Sequence, residues 1–157
     1  MKKINWCKTQ QKGIKIIEPN ENLSKEYIKT AEENLKTLSN LKDIELNMWL
    51  ATKKYYIEYF ASYSLLMKLG IKCEIHDCTI EIIKFLENQK IININISKKL
   101  ERDKQLRIDN QYYLKNIKVN MNMNRLSNFL LIIKKALERL NQNKIEEIRK
   151  ELINYPS

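Results

Sequence analysis

The stretch from residue 49 to residue 86 constrains the fold most, because it predicts two helices with a single glycine in the break between them. Five residues share one face of the first helix at helical spacing: Trp49, Tyr56, Tyr59, Tyr63 and Leu66. Further apolar residues widen this face, as is typical of a central helix: Leu46, Leu50, Ile57, Phe60 and Ala61. Gly70 supplies the left-handed residue that ends this helix, and His76, the only histidine, opens the next one.

Glycine and proline are scarce, with two of each in 157 residues, which favours helices over a β-sandwich or barrel. A chain that is 43% apolar and 31% charged is able to form a core, and we expect one domain over residues 1–157. The sequence therefore predicts an all-α, up-and-down antiparallel bundle of five to six helices. These helices cover residues 23–39, 43–69, 76–88, 97–114, 123–140 and 144–154. Residues 1–22 are predicted to form an irregular arm, and residues 91–96 an extended linker.

The sequence shows neither a signal peptide nor a run near the ~20 apolar residues of a membrane span. We therefore expect a cytoplasmic protein with no membrane partner, in which Cys7, Cys73 and Cys78 are reduced. The net charge of +10 has two interpretations. One is attraction to the phosphates of RNA, DNA or nucleotides; the other is the lysine-rich composition of an AT-rich genome. Arginine, the better fork for phosphate, makes up only five of the 29 basic residues.

Three segments give the chain a resemblance to a known family. They are KKYYIEYFASYSLLMKLGIK, followed shortly by His76; QLRIDNQYYL at residues 105–114; and the apolar helix at residues 126–140. In this order they resemble the HEPN domains of archaea and bacteria, helical domains named for nucleotide binding in higher eukaryotes and prokaryotes. The resemblance covers nearly the whole chain. It implies an all-helical homodimer, and active members of the family are metal-independent ribonucleases, often toxins or antiviral effectors.

The resemblance also implies a catalytic pair, an arginine followed four to six residues later by a histidine, and this chain departs from it. Gly70, Ile71 and Lys72 stand at that spacing before His76, and the first arginine of the chain is Arg102. We therefore expect a HEPN-type protein in a toxin–antitoxin or defence context that binds RNA, nucleotide or a partner, without a cofactor. Many family members are encoded beside a nucleotidyltransferase antitoxin, which is the expected partner. The alternatives are a ribonuclease toxin using His76 and a non-enzymatic oligomerisation scaffold.

RNA cleavage through the 2′-hydroxyl needs a base that titrates near neutral pH and a cation for the developing phosphorane charge. His76 is the candidate base, since imidazole titrates in this range. Lys72 is the candidate cation if the backbone before His76 is helical, and Arg102 or Arg107 are alternatives from a later helix. The competing interpretation is a structural histidine at a helix start, bonded to a backbone carbonyl.

Three further patterns bear on binding. Basic residues expected to contact nucleic acid are Lys68, Lys98, Lys99, Arg102 and Arg107, although acidic neighbours dilute the strip on the fourth predicted helix. Cys73, His76 and Cys78 are zinc-type ligands, but a closed structural site needs four, so no metal site is predicted and the thiols are assigned to the core. The tyrosine face is assigned to core packing or a dimer interface rather than to base stacking.

Overall fold

The computed structural model describes residues 2–38 and 46–155, and within them the protein is an all-α helical bundle. The helices are α1 (Lys2–Thr9), α2 (Glu21–Leu38), α3 (Asn47–Leu69), α4 (His76–Asn88), α5 (Ser97–Gln111), α6 (Met123–Arg139) and α7 (Gln142–Ile153). Two short strands, β1 (Lys15–Ile16) and β2 (Ile71–Lys72), pair antiparallel, with Ile16 opposite Ile71. None of the described helices is long and apolar enough to cross a membrane.

Helix α3 is the centre of the bundle, as its wide apolar face predicts. It packs against α2 along its length and against α5 and α6 on its other sides. Tyr55, Ile57 and Leu65 on α3 are completely buried. Gly70 ends the helix in the left-handed conformation, with φ of 67°, and its N–H donates to the carbonyls of the last turn. The predicted role of this glycine is confirmed.

Most predicted helices are confirmed, α4 at its predicted bounds. Helix α7 begins at Gln142 rather than residue 144, because the Asn141 side chain caps it by accepting from the Lys144 N–H. Helix α5 ends at Gln111 rather than residue 114, because the chain then turns back to the Asn110 side chain. The linker at residues 91–96 is free of strand, as predicted. The predicted helix limits at residues 39 and 43 lie outside the described residues.

The N-terminal segment is a correction, because it is not wholly irregular and its α1 brings the described helices to seven. Helix α1 is too short and too weakly amphipathic to be recognised from periodicity, and tertiary contacts hold it against α4. Its buried side consists of Ile4 and Cys7. The chain then turns sharply at Gly13, where a Cβ would overlap the Cys7 carbonyl oxygen.

The cysteines also differ from expectation. Cys7 on α1 and Cys78 in the first turn of α4 form a disulfide, with Cα atoms 5.6 Å apart. The expectation of three reduced thiols is therefore wrong for this pair, because folding of the arm brings together two residues far apart in sequence. Cys73 is free and buried, with Sγ 3.2 Å from Thr79 Oγ1. Burial raises the pKa of the Cys73 thiol to about 11.

Trp49 departs from the predicted buried face of α3. It is 54% exposed, whereas Tyr59 and Tyr63 on the same face are buried. Trp49 lines an open groove of about 520 Å³ with Leu50, Tyr56 and other side chains of α2 and α3. Helical spacing predicts which residues share a face, but it does not predict how far the neighbouring helices extend to cover that face.

The sequence of α5 has only a thin apolar stripe, which is typical of a helix at the edge of a bundle, but α5 packs against both α3 and α4. Its buried stripe follows helical spacing but is mostly polar: Ser97, Leu100, Asp103, Arg107 and Asn110. A search for apolar periodicity does not detect such a stripe, and these side chains position the sites described next.

Candidate functional sites

His76 lies at the start of α4 against the tyrosines of α3. Its Nδ1 is 2.6 Å from the Tyr55 hydroxyl oxygen, and its ring stacks on Tyr59 with centroids 4.4 Å apart. The expected structural partner, a backbone carbonyl, is replaced by the Tyr55 side chain. No hydrogen bond to Nε2 is formed by residues 2–38 or 46–155. The imidazole is therefore held at one nitrogen and left available at the other.

Arg107 reaches the same tyrosines from α5, although it is distant from His76 in sequence. Its guanidinium carbon lies 5.1 Å from the Tyr55 ring centroid and 5.7 Å from the ring centroids of Tyr56 and Tyr112. Arg107 is 7% exposed, and its buried Nε has no hydrogen-bond partner in the described part of the chain. We call Tyr55, His76 and Arg107 the His76 cluster.

The charges in the His76 cluster favour a neutral imidazole. Burial lowers the pKa of His76, the positive charges of Arg107 and Lys104 lower it further, and Asp77 opposes them. Burial raises the pKa of the Tyr55 phenol, so this hydroxyl keeps its proton. A phenol is the better donor, so it donates to Nδ1 and leaves the imidazole proton on Nε2. In this tautomer Nε2 presents a hydrogen-bond donor rather than a base.

Lys72, the candidate cation, lies in strand β2 rather than in a helix. It is therefore not one helical turn before His76, which was the premise of the prediction. Its Nζ is 3.4 Å from Glu74 Oε1, and its side chain is 55% exposed. The cations whose charge acts on His76 are Arg107 and Lys104, and Lys104 is itself ion-paired with Asp77.

The structure disperses the basic residues that the sequence placed in a nucleic-acid surface. Lys68 pairs with Glu21 at 3.3 Å, and Lys99 Nζ lies 2.7 Å from Glu58 Oε1. Arg107 faces the bundle interior, and Lys98 is exposed. Arg102 remains at the surface, with its side chain 64% exposed.

Two of these residues, Lys99 and Arg102, meet other cations between α5 and α6. A concavity of about 320 Å³ is lined by Lys54, Lys99, Arg102, Lys118 and Arg125, together with Asp103, two asparagines and two leucines. A second concavity of about 290 Å³ shares Lys99, Arg102 and Arg125 with it. We call the two together the basic groove. The sequence does not single out Lys118 and Arg125, because they lie on either side of the start of α6 and no periodic pattern joins them to α5.

The floor of the basic groove is a buried ionic cluster. Lys54 Nζ lies 3.1 Å from Asp103 Oδ1, with the two side chains 10% and 1% exposed. Glu58 is fully buried beside Lys99. Burial and the neighbouring Asp103 raise the pKa of Glu58 to about 7, against the opposing influence of Lys99. At this floor Asp103 pairs with Lys54 and Glu58 lies against Lys99, so the cations with the least acidic compensation lie at the rim.

The rim consists of Arg102, Lys118 and Arg125. Lys118 and Arg125 form no ion pair with any residue that the structure describes. Arg102 has one acidic neighbour, with its Nε 3.4 Å from Asp103 Oδ1. Three cations around one concavity without equal compensation create a local positive potential, which attracts anions.

The zinc-type residues do not form a cluster. Cys78 is bonded to Cys7, and His76 Nδ1 is occupied by Tyr55. No group of three metal-type ligands occurs within the described ranges.

Comparison with known proteins adds no assignment to these sites. No family profile, no curated protein and no solved structure matches the chain.

Proposed function

We propose that the protein binds the phosphates of RNA or of a nucleotide in the basic groove. The observation that supports this most directly is the rim of Arg102, Lys118 and Arg125 around one concavity. Arginine forks and lysine point charges are the side chains that hold phosphate oxygens, and the amides of Asn120 and Asn122 add donors. The net charge of +10 adds long-range attraction to a polyanion.

In this proposal the chain is a HEPN-type helical protein with an incomplete ribonuclease motif, acting in a toxin–antitoxin or defence context. The helical bundle is consistent with that family but is shared by many unrelated proteins, so the argument rests on the groove. A cytoplasmic homodimer with a nucleotidyltransferase partner belongs to the same proposal. Light scattering of the purified protein tests the dimer. Co-purification with the product of an adjacent nucleotidyltransferase gene tests the partner.

Binding of a labelled single-stranded RNA, measured by fluorescence polarisation over a range of salt concentrations, tests the groove. The double variant Lys118→Glu/Arg125→Glu is compared with Lys29→Glu/Lys150→Glu, which makes the same charge change at exposed positions on α2 and α7. We expect only the groove variant to lose affinity and to reduce the salt slope by about 2. Equal losses of affinity in both variants would show that RNA binding depends on the net charge of the protein and not on the groove. If the protein binds no RNA at low salt, the phosphate-binding proposal is refuted and the non-enzymatic oligomerisation scaffold remains.

Ribonuclease activity is a second candidate, favoured by the position of Arg107 beside Tyr55 and His76. The guanidinium supplies the cation that the sequence lacks before His76. The Nε2–H tautomer opposes a role as base, so we expect no cleavage by the wild-type protein. RNA degradation by wild type that is lost in His76→Ala and in Arg107→Gln would reverse this expectation. The two variants are first checked for helical content by circular dichroism.

A further inference from the structure

Lys99 lines both concavities of the basic groove, yet its ammonium group contacts a buried carboxylate. Its Nζ lies 2.7 Å from Glu58 Oε1, and its side chain is 20% exposed. The same Nζ donates to the carbonyl of Arg125 on α6 at 3.4 Å. An ammonium group held against a carboxylate beneath the surface is not free to bind a phosphate. Lys99 therefore contributes fully to the groove only when Glu58 releases it.

The surroundings of Glu58 disfavour its ionised form. Its side chain is fully buried, and neither carboxylate oxygen has a well-directed hydrogen bond within the described part of the chain. The charges that act on it are those of Asp103 and Lys99 from α5 and of Lys54 from its own helix. Lys54 is itself paired with Asp103, at 3.1 Å. Lys99 is therefore the cation on which the charged form of Glu58 depends.

We propose that Glu58 is a positioning residue for Lys99, and that phosphate binding in the basic groove is coupled to protonation of the Glu58 carboxylate. This inference rests on the proposed function, because it needs an anion in the groove. A bound phosphate draws the Lys99 ammonium group away from Glu58 and toward its own oxygens. The carboxylate that loses this cation is buried, so it takes a proton from solvent and becomes a neutral acid.

The free protein is suited to this exchange near neutral pH. Burial and the charge of Asp103 raise the pKa of Glu58 to about 7, and Lys99 opposes them. When Lys99 turns to a phosphate, its opposing influence weakens and the pKa of Glu58 rises further. A group whose pKa is higher in the bound state than in the free state strengthens binding as pH falls. The groove should therefore hold phosphate more tightly in mildly acidic solution.

The test uses a uridine oligomer that carries a pH-insensitive dye and no terminal phosphate. Neither its phosphodiesters nor its bases titrate between pH 6 and 8, so the protein supplies any change in binding. Affinity is measured by fluorescence polarisation at constant ionic strength. If binding raises the Glu58 pKa by about one unit, the wild type binds about fivefold more tightly at pH 6 than at pH 8. Glu58→Gln resembles the protonated acid, so it should bind at both pH values as tightly as the wild type at pH 6.

Two further variants locate the coupling. Glu146→Gln makes the same charge change at an exposed position on α7 and should keep the full pH dependence. Lys99→Met removes the cation, so it should lower the affinity at pH 6 and abolish the change that depends on Glu58. The α-amino group and His76 are present in all four proteins, so the difference from Glu58→Gln isolates the contribution of Glu58. Circular dichroism checks that each variant keeps its helical content.

Calorimetry on the wild type tests the coupling without any substitution. Titration of the oligomer at pH 7 in two buffers of different ionisation enthalpy measures proton uptake, which should be about 0.4 per bound protein for the same pKa change. Equal affinities at pH 6 and pH 8 without proton uptake would overturn the coupling and leave the phosphate site standing. An unchanged pH dependence in Glu58→Gln or in Lys99→Met would also overturn it. Absence of RNA binding at low salt and pH 6 would refute the proposed function and this inference with it.

Discussion

The Cys7–Cys78 disulfide should contribute a large part of the stability of this protein, and reduction provides the perturbation. The bridge joins residues separated by 71 positions. In the chain-entropy account, closing a loop of this length in the unfolded chain is worth about 4 kcal/mol at 25 °C. Beyond the bridge, the side chains that hold helix α1 are few: among its described positions Ile4 and Cys7 are buried, and Lys3 and Lys8 make polar contacts with Glu81 and with the Ile153 carbonyl. We therefore expect reduction to lower the free energy of unfolding by about 4 kcal/mol.

Urea unfolding followed by circular dichroism, with and without dithiothreitol, measures this difference. The double variant Cys7→Ser/Cys78→Ser should match the reduced wild type and should not respond to dithiothreitol. The matched control is Cys73→Ser, which changes the remaining free cysteine and should keep the full response. A response below about 1 kcal/mol in the wild type would refute the reasoning, since it lies well below the loop-closure value. Alkylation of all three cysteines in the native protein without reductant would refute the bridge itself.

Three further predictions concern single positions. The folded pKa of Glu58, about 7, lies above its ordinary value of 4.5, so its contribution to stability is full below pH 4.5 and is lost as pH rises through 7. In urea titrations, the unfolding free energy of the wild type, relative to that of Glu58→Gln, should therefore fall by about 3 kcal/mol between pH 4.5 and 8. Gly70→Ala should lower the thermal midpoint by several degrees, because φ is 67° and a Cβ would overlap the Ile17 carbonyl oxygen. Tyr55→Phe removes the hydroxyl that donates to His76 Nδ1, and the imidazole nitrogen shifts in NMR should then report a mixture of tautomers.

The sequence predicts the position of a helix well when apolar residues repeat at helical spacing and a local signal marks the end of the helix. Helices α3, α4 and α6 have this pattern, and Gly70 marks the end of α3 by its left-handed conformation. Helix α1 is the contrasting case, because long-range contacts with α4, including the covalent bond, hold it in place rather than a periodic pattern of its own residues. No local pattern encodes that bond, and the redox argument from cell compartment led to the opposite expectation.

The candidate sites were less predictable than the helices for a similar reason. His76 was recognised because it is the only histidine. Arg107 was proposed as its cation only as one of several alternatives, since sequence separation says nothing about a contact between helices. Lys118 and Arg125 lie on either side of the start of α6 and meet Arg102 only in the folded chain. Charge counts along a helix detect a basic face, but they do not detect a groove built from three segments.

Helix α5 connects the candidate sites, and its polar buried stripe explains why. Asp103 underlies the basic groove, Arg107 completes the His76 cluster, and Asn110 forms hydrogen bonds with both backbone groups of Ile117. Burying such groups costs free energy unless each finds partners, and apolar residues of similar volume are often at least as stabilising. The stripe nevertheless leaves Arg107 Nε and Asp103 Oδ2 without hydrogen-bond partners among the described residues. Stability alone therefore does not account for a helix of this composition, and the proposed basic groove gives its buried Asp103 a second role, as the counter-ion of Lys54 beneath the rim.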